Sequence, residues 1–305
     1  MSSKLSMHEE SAVERHATSA VENQTNSEAR AAAPADTPRR AARSSTTLSR
    51  VSAIARNTFR EAVRDRVLYN LVIFVLLLTG GAVFLGELSA AQESKIIVDM
   101  GLSAMLLFGV FIAIFVGVGL VYKEIERRTI YAIFSKPVGR GEFLVGKYAG
   151  LCLTLAVNVA VMGAGVSLAL LYVRGGWDDL ALRIWPAVAL VYVELMIVVA
   201  VALLFSSFSS PALSALLTFF AFVIGHFSAE LKSLAVSVGS GAARALFTGL
   251  YYLLPNLSNY AYITDASHGQ TPTAANFAGA VLYGLVYIAV LLSASTLIFK
   301  RRNFK

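Results

Sequence analysis

The sequence predicts an all-α integral membrane protein, and three observations carry that prediction. Apolar residues make up 56% of the 305 positions and charged residues only 15%, a balance that does not supply a water-soluble surface. Apolar runs of about 20 residues, the length that crosses a bilayer as a helix, recur through the chain. The basic residues gather on alternate connections between those runs. A segment in hydrocarbon must satisfy its backbone hydrogen bonds internally, so each run is expected to be helical.

Residues 1–48 are rich in Ser, Thr, Ala, Glu and Arg, contain Pro34 and Pro38, and show no sustained apolar period. They cannot bury enough surface to offset ordering and are expected to form a disordered cytoplasmic tail. No short apolar core follows a basic start, so no cleavable signal peptide is expected. Across 49–66 the pattern changes. Val51, Ile54, Ala55, Phe59, Ala62 and Val63 share one helical face, while Arg50, Arg56, Arg60 and Arg64 share the other. This reads as a basic amphipathic helix lying in the headgroup plane.

Six spans are expected, at 67–86, 100–122, 148–173, 184–205, 211–228 and 277–299. The apolar stretch 245–254 is too short to cross and is stopped by Pro255. It reads as a re-entrant or interfacial helix within an extracytoplasmic helical segment, 229–276. Residues 300–305 form a basic tail. Of the 26 Lys and Arg residues, 21 fall in the N-terminal region, the 123–147 connection and that tail. The other side receives only Lys95, Arg174, Arg183, Lys232 and Arg244. Both termini are therefore expected in the cytoplasm of a multi-pass protein of the plasma (inner) membrane. The formal charge of +7 follows from that orientation, so the bilayer and not a nucleic acid is the expected partner.

Gly141-Glu-Phe-Leu-Val-Gly146-Lys147 fits G-x-x-x-x-G-K, but Tyr148 stands where a phosphate loop places its magnesium-binding Ser or Thr. Phe143, Leu144 and Val145 fill the intervening positions, so ATP binding by this chain is not expected. Neither H-E-x-x-H nor G-x-S-x-G occurs. His8, His16, His226 and His268 are scattered, and Cys152 is the single cysteine. No catalytic residue, metal site or cofactor is expected in this chain. His226 and Glu230 read as a membrane-interface pair. Glu194 is the one carboxylate in mid-span and must face protein or a wet cavity, since an acid there opposes insertion by about 2.5–3.5 kcal/mol. It reads either as a structural hydrogen-bonding acid or as a polar element of a substrate path or dimer contact.

The 123–147 connection is the most informative segment. Glu124 and Arg128 are spaced i,i+4, and Ile125, Thr129, Ala132 and Ile133 share a face, so a short charged helix is expected until Pro137 ends it. Twenty-odd residues exceed what reconnecting two spans requires, and Ile130, Tyr131 and Phe134 beside charges suggest a docking surface. The run E-x-E-R-x-T-I from Glu124, followed by S-K-P-V-x-R-x-E-F-L-x-G-K ending at Lys147, resembles the six-span permease subunits of ABC-2 type transporters. It is similar in particular to the branch associated with multi-copper enzyme and nitrous-oxide reductase maturation.

That resemblance covers about residues 50–305. It implies an ABC-2, type V exporter-like fold with an amphipathic N-terminal helix, a cytoplasmic coupling helix at 123–136 and an extracytoplasmic helical hairpin at 233–255. It also implies a homodimer of permeases, or a pair of similar ones, bound to two separate ATPase subunits, with ATP and magnesium held by those partners. Glu124, Glu126, Arg127 and Arg128 are then the docking residues, Pro137 and Arg140 shape the turn, and Lys147 anchors the base of the third span. A secondary transporter with broken helices, or a membrane scaffold, remains the alternative.

Topology is open to direct measurement. In a Cys152→Ala background, a cysteine placed at Asp178 is expected to react with an impermeant thiol reagent from outside, and one at Asn303 only after permeabilisation. Equal labelling of both in intact cells rejects the six-span orientation.

Overall fold

The computed structural model describes residues 47–63, 66–87, 92–126, 139–176, 179–237 and 241–301. Every regular element among them is helical. In chain order they are α1 (Thr47–Val63), α2 (Arg66–Glu87), α3 (Glu93–Glu126), α4 (Arg140–Arg174), α5 (Asp179–Arg183), α6 (Trp185–Ser206), α7 (Pro211–His226), α8 (Ser228–Ser237) and α9 (Gly241–Leu253). A 3₁₀ turn (Leu257–Tyr260), α10 (Ile263–Ser267) and α11 (Ala274–Arg301) complete the chain. The expected tail, 1–48, lies almost wholly outside the described residues.

The core is organised around α6, whose sequence is apolar on every face apart from Glu194 and so must be surrounded. It packs against α3, α4, α7 and α11, and burial extends from Ala187 at its start to Ser206 at its end. Two tyrosines tie it to α4 reciprocally. Tyr148 of α4 donates its hydroxyl to the Met196 carbonyl at 3.3 Å, and Tyr192 of α6 donates to the Cys152 carbonyl at 3.1 Å. Tyr148 is buried and Tyr192 partly buried in the interface, and each hydroxyl finds an acceptor, as an apolar setting demands. α2 lies against α3 and α4, with Val75, Thr79 and Ala82 inward.

Four stretches are long and apolar enough to cross a membrane: Glu93–Gly119, Gly141–Arg174, Asp179–Ser206 and Ala274–Ile298. A fifth is counted only if α7 and the following helix form one span bent by 69°. In α2, 22 residues long, the apolar stretch found among the described residues is Val75–Phe84. The six expected spans are thus reduced to four or five on these residues. The fifth falls short because α7, at 16 residues, is about 24 Å long and the chain turns after His226. Span ends also differ from those expected. α3 begins at Glu93 and α4 at Arg140, each about two turns early, because charged residues end an apolar window without ending a helix.

α8 and α9 pack as a helical hairpin that starts at Ser228, a little before the expected 233. No described residue of α9 is buried. The chain leaving α9 at Pro255 folds back under α7: a Cβ at Gly225 would sit 2.6 Å from the Pro255 carbonyl oxygen. Only glycine permits that approach. Three tyrosine hydroxyls pin this return to α11, with Tyr260 donating to Ala280 O at 2.8 Å, Tyr287 donating to Leu253 O at 3.0 Å and Tyr283 accepting from Asn256 N at 2.9 Å.

Two glycines therefore have opposite consequences. Gly225→Val is expected to destabilise the protein by about 1–3 kcal/mol through overpacking. Gly249→Ala, on α9 with nothing within 4 Å of its added Cβ, is expected to stabilise it by up to about 1 kcal/mol. Thermal unfolding of both variants in detergent reads the two signs.

Candidate functional site

Antiparallel pairing of α3 and α4 brings the end of one, Glu126, and the start of the other, Arg140, to the same end of the bundle. There α1 lies along the first turns of α4. The contact is close because Gly146 and Gly150, spaced G-x-x-x-G, remove the side chains that would hold the two backbones apart. A Cβ on Gly146 would meet Ile54 at 2.7 Å and the Val51 carbonyl oxygen at 3.2 Å. One on Gly150 would meet the Ala55 carbonyl oxygen and Thr58, both at 2.6 Å. The apolar face expected to meet lipid, from Val51 through Ala62, is the face that contacts α4, while Arg56 and Arg60 are exposed.

Two ion pairs flank this glycine seam. Arg50 lies 3.6 Å from Glu142, whose carboxylate also accepts the Gly139 N–H at 3.3 Å and so caps α4. Lys147 lies 3.8 Å from Glu61 of α1, with its ammonium 5.7 Å from the centre of the Phe143 ring. The Lys147 side chain is only 2% exposed. Its ammonium thus faces α1 across the contact between α1 and α4. Its partner Glu61 is 45% exposed, and the partly buried Arg50–Glu142 pair is of a kind that contributes about 0–1 kcal/mol.

The remaining predicted residues are placed as follows. Glu124 and Glu126 form the last turn of α3, continuous with the span instead of opening a separate helix, and Arg140 opens α4. Arg127, Arg128 and Pro137 lie outside the described residues, as does most of the expected coupling helix. Residues 141–148 are helical, and from Leu144 onward their amides are taken by the helix ladder, which leaves no loop of bare N–H groups around a phosphate.

At the other polar locus, Glu194 is 1% exposed and its Oε1 lies 3.2 Å from His226 Nδ1. One hydrogen bond joins mid-α6 to the last residue of α7, where the chain bends. Phe222 and Phe227 flank the imidazole at 5.6 and 5.7 Å. Beyond it, Ser228 and Ser258 both donate to Asn256 Oδ1 at 2.6 Å. The partner of His226 is thus Glu194, with Glu230 one turn further along on α8. No group of three or more His, Cys, Asp or Glu residues fit to hold a metal occurs among the described residues. What this arrangement does chemically is hold two helices by a shared proton in an apolar setting.

Comparison with known proteins identifies the family. The pattern of the family described as ABC-2 family transporter protein matches residues 52–304. A probable ABC transporter permease protein NosY of Stutzerimonas stutzeri is 27% identical over 130 residues, 41% of this chain and 47% of that protein. The NosY of Pseudomonas aeruginosa is 27% identical over 122 residues, 39% of this chain and 44% of that protein. The chain therefore spans about half the length of the curated relatives it matches.

Removing one member of a buried hydrogen-bonded pair leaves the other unsatisfied, which costs about 1–3 kcal/mol. Glu194→Leu is accordingly expected to lower the thermal midpoint, whereas Glu194→Gln, which can still bond to His226, is expected to stay near wild type in folding and transport-coupled ATP hydrolysis. Normal folding with lost transport in Glu194→Gln would assign the carboxylate a charge-dependent role.

Proposed function

Because the chain belongs to the ABC-2 transporter family, we propose that it is the membrane-spanning permease of an ATP-driven exporter, with ATP bound and hydrolysed on separate ATPase subunits. The observation that supports this best is the family match across 52–304, joined to an assembly at one end of the bundle in which α1 and α4 are locked together. Two copies of the chain form the translocation path, and each presents the segment from Glu124 to Lys147 to one ATPase. Closure of the ATPases pulls on that segment, and the glycine seam and the Lys147–Glu61 pair transmit the pull from α4 to α1, so that helices move as rigid bodies.

In this reading Glu124, Glu126, Arg127 and Arg128 make the docking contacts, Pro137 and Arg140 set the shape of the connection, and Lys147 acts from inside the protomer. The substrate leaves the cytoplasm, both termini stay there, and no reaction chemistry belongs to this chain.

Co-purification tests the proposal. Glu124→Lys with Glu126→Lys leaves insertion unchanged, since it only adds to the inward basic excess. It is expected to release the ATPase from a dimeric, inserted permease, because mismatched charges at a buried interface cost several kcal/mol. Undiminished ATPase recovery with undiminished transport-linked hydrolysis overturns docking through these acids.

A further inference from the structure

At the end of the bundle remote from α1, the stretch from the 3₁₀ turn to α10 lies across the first two turns of α11. A cavity of about 520 Å³ opens between them, with Asn259, Tyr262 and Asp265 on one wall and Ala275, Asn276 and Gly279 on the other. Asp265 is its one ionised residue, and no basic side chain lines it among the described residues. Asp265 forms no ion pair with a described residue, and the side-chain amides of Asn259 and Asn276 bond to none. The basic groups expected on this side are placed elsewhere. Lys95, Arg174 and His268 line a neighbouring cavity, Arg183 pairs with Asp179 at 3.7 Å, and Arg244 is exposed on α9. The side chain of Lys232 lies outside the described residues.

We infer that this cavity is a binding site for an organic ammonium group, carried on a lipid headgroup or free in solution. Charge decides the sign of the ligand, because a carboxylate with no counter-charge attracts a cation and opposes an anion. Coordination chemistry then narrows the class. A bare divalent cation requires several oxygen ligands at fixed distances, and one carboxylate does not supply them. An ammonium is satisfied by one charge-assisted hydrogen bond, further neutral acceptors and an aromatic neighbour. Asp265 supplies the first, the amide oxygens of Asn259 and Asn276 the second, and Tyr262 the third.

The walls are held in place. Tyr260 donates its hydroxyl to the Ala280 carbonyl at 2.8 Å and so fixes the turn against α11. The Asp265 carbonyl accepts from His268 N at 3.1 Å and from Gln270 N at 2.9 Å, which fixes its backbone. Space comes from Gly279, where an added Cβ would meet nothing within 4 Å. The opening has the volume of a small-ligand site. It also lies where the long apolar helix Ala274–Ile298 begins, the level at which a span leaves hydrocarbon and headgroups start. The inference does not depend on the exporter reading.

Binding to the purified full chain in an uncharged detergent tests it, with dihexanoyl phosphatidylethanolamine, ethanolamine and, as the amine-free control, dihexanoyl phosphatidylglycerol. A saturable rise in thermal midpoint with phosphatidylethanolamine and not with phosphatidylglycerol is expected. Asp265→Asn, which keeps the size of the side chain, is expected to weaken binding about tenfold, the effect of losing one charged hydrogen bond. Gly279→Leu, which fills the cavity and leaves Asp265 in place, is expected to weaken it at least as much, with an unliganded midpoint no lower than wild type. Asp179→Asn, an acid outside the cavity, is expected to leave binding unchanged. Competition by ethanolamine identifies a free-amine site, and its failure to compete identifies a headgroup site. Equal stabilisation by phosphatidylglycerol, no saturable effect of either amine probe, or unchanged affinity in both Asp265→Asn and Gly279→Leu overturns the inference.

Discussion

A helix with no polar face has to be enclosed, and most of this structure answers that requirement for α6. Its neighbours α3, α4, α7 and α11 supply the enclosure, and their own outward faces are left apolar, with Phe115, Leu168, Leu216 and Leu285 all exposed. In water such a surface would aggregate, whereas in lipid it is the solvent-compatible face. Burial inside hydrocarbon gains little from the hydrophobic effect. Fit and hydrogen bonding must therefore hold the helices together, which explains why tyrosine-to-carbonyl bonds recur at the interfaces of α4 with α6 and of α11 with the 253–260 return.

The same constraint explains how glycine is used. At Gly146 and Gly150 it lets α1 approach α4, at Gly225 it admits the Pro255 carbonyl, and at Gly284 it receives the Tyr260 hydroxyl, 2.7 Å from where a Cβ would lie. Each site is a place where one backbone meets another element and no side chain fits between. Polar pairs then fix register along these seams, Arg50 with Glu142 and Lys147 with Glu61 at one, Glu194 with His226 at another.

Helical class, the position of α6 and the amphipathic α1 were legible because they rest on local patterns of period 3.6 and on runs of apolar length. The stretch from Gly141 to Lys147 is helical, and its Gly146 belongs to a second motif, Gly146-x-x-x-Gly150, that pattern reading passed over. The Glu194–His226 bond was also hidden, although a signal existed. In an antiparallel hairpin turning near Phe208, Glu194 and His226 lie at comparable depth, within about one helical turn of each other. Helices run on beyond the apolar windows wherever a charged residue continues them, as at Lys95, Asp99 and Arg140. Pairings between distant segments, such as Ser94 with Arg174, carry no local signature at all.

α3 and α4, at 34 and 35 residues, are each about 50 Å long, while the hydrocarbon layer is about 30 Å thick. Roughly 20 Å of each rod must then stand outside the oil or be absorbed by tilt. An unbroken helix is stiff along its axis, so a rod pivoting where it enters the bilayer exchanges a small angle at one end for a displacement at the other. With its lower arm strapped to α1 and its far tip tethered at Ser94, α4 has the mechanical form of an oar in its lock.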